Sequence, residues 1–175
     1  MSNVPAIEIP LRWQPVVVKE EHLEWHRRKR LNEAERNRLR GPKVYQWVLR
    51  SAQGEKESVY IGETEAFENR ISEYRATVEA FDDCESRGGS VRLEFLDLTD
   101  ATFRINGRLV NQISLSHHDI RLMLEAIAVA TAQAEGVRVL NRIRENALVR
   151  DISKYLGIGI DQAKALFDGI CRGEI

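Results

Sequence analysis

Cysteine is nearly missing from this sequence: Cys84 and Cys171 stand far apart, and there is no CxxC pair. Neither a disulfide framework nor a structural zinc site is suggested by so few and so widely spaced thiols. Long apolar runs are missing too. No stretch approaches the roughly 18 apolar residues of a membrane span, and the polar opening MSNVPAIEIP is unlike a secretory leader. The expectation is a soluble, cytoplasmic protein with reduced thiols and no membrane partner. An excess of one charge is also lacking, since 26 basic and 27 acidic residues leave a formal net charge of -1. Bulk positive charge therefore cannot hold this chain on nucleic acid, and any phosphate-binding surface has to be local. GxxxxGKS/T, GxGxxG and GxSxG are absent, which argues against nucleotide-driven motors, dinucleotide enzymes and serine hydrolases.

What is present suffices for one core: 175 residues, 43% hydrophobic and 30% charged. Basic residues concentrate between Lys19 and Arg50, most densely at His26-Arg27-Arg28-Lys29-Arg30. Before that cluster, Ile7 to Leu11 and Trp13 to Val18 read as short extended pieces, because Pro10 and Pro15 forbid a helix through them. A helix is expected from about Glu20 to Leu39, stopped by Gly41-Pro42. KVYQWVLR from Lys43 to Arg50 and the later SVYIG are rich in β-branched and aromatic residues and are separated by polar SAQGEKE, the pattern of a hairpin.

Phe67, Ile71, Tyr74, Val78 and Phe81 alternate spacings of four and three, which predicts one amphipathic helix over about Ala66 to Phe81. After Gly88-Gly89 comes a third strand, VRLEFLD. A further hairpin is expected around Asn106-Gly107, which suit the two positive-φ positions of a tight turn. A long helix runs from near Ser116 to Gly136, VRVLN is a candidate short strand, and two short helices broken at Gly157-Ile158-Gly159 finish the chain.

The first hairpin and the helix after it resemble the signature of the GIY-YIG nuclease superfamily. The matching residues are Lys43-Val44-Tyr45, Tyr60-Ile61-Gly62 with the following Glu63-Thr64, and Arg70, then Glu125 on the long apolar helix and Asn141 in VLN. Lys43 departs from the pattern, standing where the family has glycine. The resemblance spans roughly Lys43 to Asn141. It implies an α/β (α+β) fold with a small, mainly antiparallel, three-stranded central sheet flanked by helices, here with an inserted hairpin and helical extensions. The organisation expected is an N-terminal extension over 1–42 with the basic helix, a nuclease core over 43–142, and a helical extension over 143–175.

Each candidate residue also has an ordinary explanation. Glu125 lies inside MLEAIAVATA, and a buried carboxylate needs a cation, a partner or a raised pKa; an ion pair with Arg121, one turn earlier, is the alternative to a metal site. Arg70 borders the apolar stripe and offers a planar fork suited to phosphate, yet Glu68 or Glu73 is near enough in sequence to make it a surface ion pair. Tyr45 and Tyr60 are also plain strand aromatics, and only an odd sum for the hairpin register puts both on one face. Tyr74 lies on the core stripe, and Asn141 equally suits a strand-end brace. His22 and His26 lack the glutamate of a zinc peptidase helix, and His117-His118-Asp119 falls at a helix start, where Asp is favoured by the dipole.

The resemblance implies a metal-dependent DNA endonuclease; the small size of the chain and the inserted hairpin near Asn106-Gly107 make a restriction-type enzyme acting as a homodimer attractive, with a repair or mobile-element nuclease as alternatives. Glu125 would hold Mg2+ or Mn2+ largely through water. Tyr45, in preference to Tyr60, would orient or deprotonate the attacking water; Arg70 would stabilise the phosphate charge, with Tyr74 and Asn141 supporting. Arg27, Arg28, Lys29, Arg30 and Lys43 would contact duplex DNA, with Lys56 as a further phosphate contact. DISKYLGIGIDQAKALF could form a helix-turn-helix with Asp161 as cap and Gln162 and Lys164 facing DNA, or merely complete a core. A rival from another class is a nucleic-acid-binding or adaptor module that keeps the fold without the activity, and another is a structural interaction protein using the basic helix.

Overall fold

Lys43–Arg50 buries six consecutive side chains, Val44 to Leu49, so both faces of this strand are covered, as its nearly unbroken apolar sequence requires. It is β3 of a computed structural model that describes residues 7–8, 11–16, 33–70, 78–99, 103–105, 108–110, 114–140 and 145–172. The elements before it are β1 (Ile7–Glu8), β2 (Arg12–Pro15) and α1 (Glu33–Leu39). After it come β4 (Lys56–Thr64), α2 (Phe67–Arg70), α3 (Val78–Ser86), β5 (Ser90–Asp97), β6 (Phe103–Ile105) and β7 (Arg108–Val110). The remainder is α4 (His118–Ala134), β8 (Arg138–Val139), α5 (Glu145–Leu156) and α6 (Ile160–Cys171).

The central sheet has five strands in the order β2-β5-β3-β4-β8, not the three that the sequence suggested. Its middle is the expected antiparallel trio, with β3 paired to β4 on one side and β5 on the other. The two extra strands are short edges. β2 joins β5 antiparallel, and β8 joins β4 parallel through Ser58↔Arg138 and Val59↔Val139. Both segments are extended as the sequence implied, but their partners lie far away along the chain, and local patterning carries no information about such pairing. Pro15 ends β2 at the sheet edge, where its missing N–H breaks no interior ladder. The hairpin β6–β7 pairs with β1 in a separate three-stranded sheet, and its Asn106-Gly107 turn lies outside the described residues.

Alternation along β3 divides the core. Tyr45, Trp47 and Leu49 pack with Leu39, Phe67, Phe81, Val91 and Leu93, on the face covered by α1, α2 and α3. Val44 and Val48 point the other way, into clusters built with α4. α5 and α6 continue that second layer, burying Val149, Ile152, Ala163, Leu166, Phe167 and Ile170 against α4. The apolar face of α6 is thus used for packing, while Gln162 and Lys164 lie on its exposed side. Gly159, not Asp161, is its cap residue, and the Gln162 side chain accepts a hydrogen bond from the Gly159 N–H at 3.2 Å. Lys164 forms an i,i+4 ion pair with Asp168. The single helix expected over Ala66 to Phe81 is described as α2 and α3; the residues between, Ile71 and Tyr74 included, lie outside the described set.

Candidate active site

The hairpin register pairs Tyr45 with Gly62 and Trp47 with Tyr60. These sums are odd, and Tyr60 lies two residues from Gly62, so both tyrosines sit on one sheet face. Tyr45 is fully buried, its ring edge-on to Phe67 with centroids 4.9 Å apart. Its phenol lies over Gly62, where an added Cβ would come within 2.5 Å of the hydroxyl and 2.7 Å of ring carbon Cζ. The glycine is what lets the tyrosine lie down across β4. Tyr60 is only partly buried, so it is the better exposed of the two phenols.

On the other face, Glu63 follows Ile61 toward α4 and meets Arg121. The guanidinium donates from Nε to Glu63 Oε2 at 2.7 Å and from a terminal nitrogen to the carbonyls of Leu115 and Ser116 at 2.8 and 3.2 Å. Arg121 is 3% exposed, so the pair is largely withdrawn from water and its geometry is fixed. His118 Nε2 stands 3.8 Å from the second oxygen of Glu63. The Arg121 alternative for Glu125 is therefore not what forms: the arginine is turned to the strand instead of to its own helix neighbour.

Arg70 ends α2, exposed, and lines a solvent-open cavity of about 280 Å3 with Glu63, Thr64, Glu65, His118 and Arg121. Glu125 is half-buried on α4, one turn beyond Arg121. Burial first, then the carboxylates of Glu63 and Asp151, push its carboxyl up to about 7, while the Arg70 guanidinium pulls it back. Arg70 and Glu125 thus feel each other's charge across the end of the sheet. Of the four expected site residues Tyr45, Tyr60, Arg70 and Glu125, only Arg70 lines the cavity, so the expected joint placement of both hydroxyls beside Arg70 and Glu125 is not seen there. No group of three or more His, Cys, Asp or Glu suited to a metal ion occurs among the described residues.

No family model, curated protein or solved structure matches the chain. What the site can do is consequently read from its own residues. Tyr74, Asn141 and the cluster Arg27, Arg28, Lys29 and Arg30 lie outside the described residues. Lys43 starts β3, paired with Thr64 at the mouth of the cavity. Lys56 starts β4 at the opposite end and is in an ion pair with Glu135 at 3.4 Å, away from Arg70. Sequence reasoning missed Glu63, Arg121, His118 and Asp151 as site residues. A signal for Glu63 was there: a carboxylate following Val59 and Ile61 on an alternating strand face points into the covered side of the sheet. Asp119, next to His118, is taken up by Lys154 at 2.9 Å.

Proposed function

We propose that the protein is a metal-dependent nuclease of the GIY-YIG type that hydrolyses phosphodiester bonds in DNA. The observation that supports this best is electrostatic: Arg70 from α2 lines a solvent-open cavity with Glu63, and Glu125 on α4, outside that lining, is near enough to feel the charge of both. An exposed, permanently charged planar fork matches a phosphate and stabilises charge building on its oxygens. Glu125, held near neutrality by burial and by two neighbouring carboxylates, suits a hard divalent cation, which would relieve that repulsion. Mg2+ or Mn2+ bound there would supply Lewis-acid polarisation of the phosphate. Glu125 would hold it, with Glu63 close by but already neutralised by Arg121. Tyr60 is the more accessible phenol, but neither tyrosine lines the cavity, so the attacking water is assigned to neither; Tyr45 builds the face on which the hairpin rests.

Incubation of the purified chain with supercoiled plasmid tests the proposal. Nicked or linear product is expected with Mg2+, none with chelator. A full-length chain that leaves the plasmid supercoiled with either Mg2+ or Mn2+ would instead favour the inactive binding module, a second reading favoured by the burial of Tyr45 and its absence from the cavity.

A further inference from the structure

A second cavity, of about 600 Å3, opens at the same end of the sheet. Its lining combines apolar Pro15, Val16, Phe95 and Leu115 with the cations Arg38 and Lys43. The Lys43 ammonium stands 5.5 Å from the centroid of the half-buried Phe95 ring and donates to the Arg40 carbonyl at 3.3 Å. Burial lowers its pKa, and Glu68 offsets part of that, so an anion beside it would be welcome. The acid in the lining is Asp97, and both its oxygens are engaged: one accepts from the Gln14 side chain, the other from the Thr99 N–H. Those donors are neutral, so Asp97 keeps its negative charge, and the cations Arg38 and Lys43 outnumber it by one in the lining. Lys43 pairs with Thr64, which lines the Arg70 cavity, so the two cavities adjoin across the β3–β4 pair, whose strands are about 5 Å apart.

We propose that this second cavity is a nucleotide subsite, in which Lys43 and Arg38 hold a phosphate neighbouring the one at Arg70 and the base lies against the apolar lining around Phe95. The choice of ligand rests on the nuclease reading. A nucleotide unites the features the cavity offers: an anion for two cations, and a flat apolar body for an aromatic wall. Its volume is in the range of small-molecule sites, roughly 300 to 1,000 Å3. An acidic peptide would satisfy the cations but gain nothing from Phe95.

Binding without cleavage tests it, using the full chain in chelator and fluorescence anisotropy with a labelled short oligothymidylate and an abasic deoxyribose-phosphate strand of equal length. The wild type should bind the base-bearing strand about fivefold or more tightly, the effect of one stacked base. Lys43→Met, with an unchanged circular dichroism spectrum, should weaken both probes on the order of tenfold and flatten the log-log salt slope by about 0.7. Equal affinity for the two probes, an unaltered slope in Lys43→Met, or equally effective displacement by an oligoglutamate peptide would each overturn the subsite. Its failure is separable from failure of the nuclease reading. A protein that cuts plasmid but ignores the Lys43 change loses only the subsite, and one that shows the binding pattern yet never cuts loses only the hydrolysis.

Discussion

Gly62 and Glu125 are the residues whose identity the structure explains most fully. A Cβ at Gly62 would press on the phenol of Tyr45, a rigid ring with no exposed surface, so neither partner yields cheaply. Gly62→Ala is expected to cost about 1 to 3 kcal/mol, seen as a lower thermal midpoint. Gly159→Ala is the control, because its nearest contact would be 3.8 Å away; equal midpoints for the two variants would contradict the overlap. Glu125 makes a pH-dependent prediction. Its folded pKa of about 7 is above the ordinary 4.5, so the folded state holds the proton more tightly. Its contribution to stability is then fully present below pH 4.5 and is lost as the pH rises through about 7. Glu125→Gln, which mimics the protonated acid, should match the wild type at low pH and exceed its thermal midpoint above neutrality, in chelator. Parallel midpoint curves from acid to alkaline pH would show that the carboxyl is not strained.

At the scale of elements, Arg121 ties β4 to the start of α4. It binds Glu63 on the strand and the carbonyls of Leu115 and Ser116, in the turn that leads into the helix. Arg121→Met would leave Glu63 facing Glu125 with its cation gone and two carbonyls unanswered. A loss on the order of 3 kcal/mol is expected, measured by denaturant midpoint, because breaking one side of a largely buried pair strands the other charge. Glu63→Gln should cost less, since the amide keeps an acceptor for Arg121 without the charge. If Arg121→Met is as stable as the wild type, this clasp does not organise the cavity. The C-terminal helices belong to the same layer: Ala163, Leu166 and Phe167 complete the core against α4, and Gln162 and Lys164 stay on the exposed side.

Across the whole molecule, what the sequence disclosed was local. The hairpin, the long α4 and the β6–β7 pair follow from periodicity and turn residues within short windows, while the odd register of the hairpin, left open by the sequence, is a finding of the structure. Edge strands β2 and β8 escaped because their partners are distant, and the Glu63–Arg121 pair escaped because it joins a strand to a helix on a face that periodicity alone does not identify. Tyr45 shows the converse. The run KVYQWVLR already indicated a strand covered on both faces, and that burial conflicts with a solvent-facing role for its tyrosine. No helix among the described residues is long and apolar enough to cross a membrane. With a near-zero net charge, any grip on DNA depends on local cations such as Arg70, Lys43 and Arg38.

Single-turnover cleavage of a plasmid in Mg2+ by Arg70→Ala, Glu125→Ala and the double variant, all with wild-type circular dichroism, probes the joint action of arginine and glutamate most directly. Each single change should slow cutting on the order of a hundredfold or more, and the double change should be scarcely worse than the slower single, because the two groups act on one phosphate. Wild-type rates from either single variant would contradict the assignment.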